Sequence, residues 1–81
     1  MTGPCFTLLS RPQCHLCEQF AEDFRAHTGG LAKLQIVDVD SDPALQAQYG
    51  LRIPVLLDPD GALCCEVRLD PARLAGWTDG G

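Results

Sequence analysis

The chemistry-bearing residues of this chain stand close together, as Cys14-His15-Leu16-Cys17 between a short apolar run and an amphipathic one. Two thiols three residues apart meet within one helical turn, so they can exchange electrons with a disulfide or share a metal ion. If a helix begins at the first of them, its unpaired N–H groups and the positive end of its dipole favour a thiolate there. Cys14 is then the expected nucleophile. Cys17, one turn on, is placed to attack a mixed disulfide on Cys14 and release the reduced partner.

Plainer readings of the same residues exist. A cysteine is often a small buried hydrophobe. The pair could also be half of a zinc site, with two more ligands drawn from Cys5, His15, His27, Cys64 and Cys65, but no second Cys-x-x-Cys or His pair supplies them. His15 either lends positive charge to Cys14 when protonated or is an exposed residue at the helix start. His27, beside Gly29, fits the negative end of the helix dipole.

The elements that must hold the pair are readable around it. Cys5 to Ser10 is rich in strand formers and is broken by Arg11-Pro12, which predicts a buried first strand with Cys5 inside it. Leu16, Phe20, Ala21 and Phe24 recur at three- and four-residue steps and predict an amphipathic helix that Gly29-Gly30 ends. Leu34 to Val39 predicts a second strand. Ser41 or Asp42, followed by Pro43, predicts the cap of a short helix with Ala44, Leu45 and Tyr49 on its inner face and Gly50 as its stop.

Val55 to Leu57 and Leu63 to Val67 flank Asp58-Pro59-Asp60-Gly61, the signature of an antiparallel hairpin. Cys64 and Cys65, as strand neighbours, are expected to point to opposite faces, one of them into the core. Asp70-Pro71 opens a last helix that Leu74 and Trp77 would seal. The order is β-α-β-α-β-β-α.

Bulk composition narrows the function classes. At 81 residues there is room for one domain, 1–81, with a core over about 5–77 and a short tail. Apolar residues at 46% and charged ones at 21% are the balance of a chain that folds. The net charge of −5, with six scattered basic residues, repels a phosphate backbone, so no nucleic-acid partner is expected. The longest apolar stretch, Ile53 to Leu57, is far below the roughly 20 residues of a membrane span. No export signal is evident, so a cytoplasmic location is expected, where structural disulfides are rare. A regulatory disulfide among Cys5, Cys64 and Cys65 stays open as an alternative.

With these residues in view, the chain resembles the glutaredoxins, and more narrowly the small bacterial glutaredoxin-like proteins, over about residues 5 to 77. Arg11-Pro12-Gln13-Cys14-His15-Leu16-Cys17 is similar to the pattern in which a basic residue stands three before the nucleophile, and Ile53-Pro54 to that of the family's cis-proline. The resemblance implies an α/β, thioredoxin-like fold, a four-stranded mixed sheet flanked by helices. It also implies that Arg11 faces a substrate carboxylate, that the backbone at Ile53 and Pro54 pairs with substrate, and that Asp70 receives the glutathione amine. For Asp70 a plain helix cap is the other reading.

Two departures stand out. Arg52 replaces the family's threonine, and Arg68-Leu69 replaces the Gly-Gly that lets glutathione approach. Either arginine could restore a lost contact by charge or be a solvated surface residue.

The expected function is thiol-disulfide exchange by a monomer acting on glutathione or protein disulfides, with no tightly bound cofactor, no membrane partner and glutathione as a co-substrate. The alternatives are a metal or iron-sulfur carrier using Cys14, and a catalytically silent interaction module of the same fold.

Overall fold

The computed structural model describes residues 3–70 and 72–74. Its elements follow in the order β1 (Cys5–Ser10), α1 (His15–Thr28), β2 (Lys33–Asp38), a 3-10 turn (Val39–Ser41), α2 (Pro43–Tyr49), β3 (Val55–Leu57) and β4 (Leu63–Glu66). Residues 72–74 are helical, and the remainder of the expected last helix, with Trp77, lies outside the described residues.

The four strands form one mixed sheet in the order β2-β1-β3-β4. β1 runs parallel to β2, from Cys5 opposite Lys33 to Ser10 opposite Asp38. β3 is antiparallel to both β1 and β4, with Leu8 opposite Leu56 and Val55 opposite Glu66. Because alternate side chains of a strand leave by opposite faces, the two central strands feed two cores. Phe6, Leu8 and Leu56 pack with Phe20, Ala21 and Phe24 of α1, with Cys64 and Cys65, and with Leu74. Leu9 and Val55 pack with Val39 and Tyr49 on the other face. Phe6 and Phe24 meet edge to face, their ring centroids 5.3 Å apart.

The helix boundaries follow from local chemistry. α1 stops at Gly29, which takes a left-handed φ of 57° while its N–H reaches the Arg25 carbonyl at 3.0 Å. Arg25 and His27 stand in the last turn, at the negative end of the dipole. Of the two candidate caps for α2, Asp42 is the one used: its carboxylate accepts from the Ala44 N–H at 2.8 Å, and Pro43 sits in the first turn.

Several residues depart from the sequence expectation. Cys5, the first residue of β1, is exposed, and burial begins at Phe6. Leu16 is 62% exposed, since Cys17 takes the inward position in the first turn and starts the buried stripe. Ala44 is exposed while Tyr49 is buried. β2 begins and ends one residue early, and Val39 enters the 3-10 turn. β4 ends at Glu66 because Val67 has a φ of 65°, a left-handed conformation foreign to a strand.

The largest departure concerns Cys64 and Cys65. The β3–β4 register shifts between Leu56, opposite Cys65, and Leu57, opposite Leu63, so Cys64 is an extra residue in a bulge. The bulge breaks the alternation and buries both thiols in the same core, at 6% and 5% exposure.

No helix among the described residues is long and apolar enough to cross a membrane.

Candidate functional site

β1 delivers the chain to the site and α1 takes it away. Ser10 ends the strand, Arg11 and Pro12 turn, and Gln13 adopts a φ of 62° immediately before Cys14. A non-glycine residue in that region costs of the order of 1–3 kcal/mol and is held by its surroundings. Cys14 is then the N-cap of α1, in extended conformation.

Its sulfur does what a capping oxygen does elsewhere, accepting the backbone N–H of Cys17 at 3.2 Å. The Cys14 carbonyl in turn accepts from the Glu18 N–H at 3.0 Å. Cys14 is half-buried and Cys17 is 4% exposed, so one sulfur can meet a substrate and the other waits behind it.

Burial pushes the Cys17 thiol up to about 11, aided by the neighbouring Cys14 sulfur and opposed by the backbone N–H of Arg11. At neutral pH Cys17 is therefore a thiol.

Arg11 stands beside this pair but is not unpartnered. Its guanidinium makes two bonds to the Asp40 carboxylate, of 2.8 and 3.1 Å, and Gln46 adds a third contact to that carboxylate at 3.0 Å. The guanidinium holds the Asp40 carboxyl below its usual range. A side chain at Gly50 would crowd this arrangement, since a Cβ there would lie 2.5 Å from the Gln46 carbonyl oxygen and 3.2 Å from an Arg11 nitrogen. Sequence alone does not single out Asp40: it lies 29 residues from Arg11, inside an acidic stretch with nothing local to distinguish it.

Arg52 is likewise engaged, with Glu66 at 2.6 Å and its guanidinium 5.7 Å from the centre of the Tyr49 ring. His15 is exposed and faces Glu18 at 3.6 Å.

Arg11, Cys14 and Cys17 line one depression of about 620 Å3, together with Glu18, Glu22 and Ile36. Ile53 and Pro54 are not among its lining residues. The Ile53–Pro54 bond is cis, as the resemblance implies. The Pro54 carbonyl accepts from Val67 at 2.7 Å, whereas neither the N–H nor the carbonyl of Ile53 bonds to a described residue. Asp70 lines a different depression, with Cys64 and Cys65, and acts as a cap: its carboxylate accepts from the Ala72 N–H at 3.0 Å.

The sequence matches the glutaredoxin-like domain (DUF836) over residues 6–78. The chain belongs to this family.

Among solved structures, the glutaredoxin-like domain is similar to protein XcR50 of X. campestris, at 38% identity and a TM-score of 0.69 over 94% of this chain and 97% of that one. It is also similar to protein Ne2328 of Nitrosomonas europaea, at 22% identity, a TM-score of 0.85 and coverage of 96% and 94%. A mutant thioredoxin of Halobacterium salinarum aligns at 24% identity with a TM-score of 0.55, covering 95% of this chain and 76% of that one. The last two bear on the fold alone, which is thioredoxin-like. No curated protein matches.

Proposed function

We propose that this glutaredoxin-like domain is a thiol-disulfide oxidoreductase in which Cys14 attacks and Cys17 resolves. The observation that carries this reading is the placement of the Cys14 sulfur at the N-terminus of α1, on the Cys17 N–H at 3.2 Å. A sulfur so placed is supported as an anion by fixed donors and the helix dipole, and it remains reachable from solvent.

In the first step the Cys14 thiolate attacks one sulfur of a substrate disulfide; that S–S bond breaks, a Cys14 mixed disulfide forms, and the other half departs as a thiolate. Cys17 then loses its proton and attacks the Cys14 sulfur, forming the Cys14–Cys17 disulfide and expelling the second half. The substrate gains two electrons, the pair loses two, and the product thiolates take up two protons. A glutathione or protein dithiol returns the pair to the reduced state. The backbone of Ile53, unpaired among the described residues, is the candidate strand on which an extended substrate segment docks, and Leu16, exposed between the two cysteines, is its apolar contact.

The test is single-turnover reduction of a small disulfide by the reduced protein. Cys14→Ser is expected to abolish it, and Cys17→Ser to stop at a mixed disulfide on Cys14 that mass spectrometry identifies. Retained activity in Cys14→Ser, or no trapped adduct in Cys17→Ser, would remove the proposal.

A further inference from the structure

Cys64 and Cys65 stand apart from the depression that holds Cys14, and their arrangement is unusual for sequence neighbours in a strand. The β4 bulge turns both side chains the same way and leaves their sulfurs 3.7 Å apart. The Cys65 sulfur also lies 3.8 Å from the Asp70 carbonyl oxygen, and the Cys64 sulfur 4.0 Å from that of Arg73. Between the thiols and solvent is a depression of about 440 Å3, lined by Glu66, Arg68, Leu69, Asp70 and Arg73 among others.

We propose that Cys64 and Cys65 form a two-thiolate binding site for a soft monovalent ion of the copper(I) type, with its remaining coordination positions turned to the depression.

Spacing decides between an ion and a disulfide. Two sulfurs about 2.3 Å from one ion, at trigonal or tetrahedral angles, lie about 3.8–4.0 Å apart. The 3.7 Å already present meets that with almost no movement. A disulfide instead needs the sulfurs at about 2.05 Å and the Cα atoms at about 4.4 Å or more, whereas neighbours across a trans peptide sit about 3.8 Å apart. The geometry suits chelation and resists bridging.

Ligand type and charge narrow the ion. Thiolates select soft ions such as copper(I). Two thiolates around one monovalent ion carry a net charge of −1, which suits the rim: Glu66 is paired with Arg52 and Asp70 with Arg73, leaving Arg68, whose guanidinium has no partner among the described residues, as the cation that faces the depression. A divalent ion would leave the complex neutral and gain nothing from that rim. The open side leaves room for a thiol from solution, so the ion can arrive on a thiolate carrier. The two Cys S–H protons then leave on the departing carrier thiols, two metal–sulfur bonds replace two others, and no oxidation state changes. This site does not depend on the redox reading of Cys14 and Cys17.

The test uses the variant carrying Cys5→Ser, Cys14→Ser and Cys17→Ser, titrated anaerobically with copper(I) against a coloured copper(I) chelator. One ion per chain is expected, with X-ray absorption showing at least two sulfur neighbours at about 2.3 Å. Adding Cys64→Ser or Cys65→Ser should weaken binding by about 100-fold or more, and Arg68→Gln by roughly two- to fivefold. If the multiple variants fail to fold, the unaltered protein with Cys14–Cys17 oxidised and Cys5 alkylated serves for both the titration and the absorption measurement. Absence of tight binding, or binding with fewer than two sulfur neighbours, or a Cys64–Cys65 disulfide forming under mild oxidation in preference to the complex, overturns the proposal.

Discussion

The guanidinium of Arg11 lies across the carboxylate of Asp40, Nε to one oxygen at 2.8 Å and Nη2 to the other at 3.1 Å. Arg11 lines the depression that holds Cys14, and its pairing with Asp40 sets how much free positive charge an incoming anion meets there. Asp40→Asn is expected to free Arg11 and raise the rate with anionic disulfides such as glutathione disulfide by roughly two- to fivefold, the scale of an exposed ion pair. An uncharged disulfide should react unchanged, and added salt should erase the difference. Equal acceleration with both disulfides would contradict the assignment.

Alkaline pH should weaken the reduced protein. Burial, as the largest cause, raises Cys17 to about 11 and Cys64 to about 12, above the ordinary thiol value of 9.0. Below that value folded and unfolded chains alike keep both protons. As pH rises past it, the unfolded chain releases protons that the folded chain retains, so stability falls until the folded thiols ionise as well. The decline is at most about 1.4 kcal/mol per pH unit for each thiol. Urea midpoints measured between about pH 8 and 10.5 should drop for the reduced protein and drop less for Cys17→Ser and Cys64→Ser; a flat profile in the unaltered protein would refute this.

In the proposed reaction the resolving step should speed up as pH rises. Cys17 attacks only as a thiolate, so release of the second product after the Cys14 mixed disulfide has formed is expected to accelerate with pH through neutrality. Rapid-mixing measurements of the two product thiols separate the steps. A second release independent of pH between about 6 and 9 would mean that another group takes the Cys17 proton.

Val67 is a β-branched residue at a φ of 65°, and it is half-exposed. Asparagine tolerates that conformation far better than valine, while little burial is lost. Val67→Asn is expected to raise stability by about 1 kcal/mol, read from the denaturant midpoint at constant slope.

Leu16 should matter to partners and not to folding. Leu16→Ser is expected to leave stability within about 0.5 kcal/mol, as exposed positions do. It should slow reduction of protein disulfides more than reduction of a small disulfide, and equal slowing of both would remove Leu16 from the docking surface.

Most of the frame is legible in the sequence because its signals are local. Gly29-Gly30 after Phe24, Pro43 after Asp42, and Asp58 to Gly61 each dictate a stop, a start or a turn within a few residues. Cys14 at a strand-to-helix junction is readable for the same reason. What escapes is non-local or one residue out of step. Arg11 and Asp40 meet only because β1 and β2 end side by side, which no spacing announces. Cys64 and Cys65 obey strand alternation until a single inserted residue cancels it, and a bulge without glycine leaves no mark in the sequence. Leu16 fits the helical period, but at the first turn the inward position already belongs to Cys17.

The bond that caps α1 on the Cys14 sulfur comes from the main chain of residue 17. Any amino acid except proline at that position delivers the same N–H. Loss of the second thiol by drift would therefore leave the first one's cradle standing, and a descendant lineage could pass from two-thiol to one-thiol chemistry through a single codon change without rebuilding the helix start.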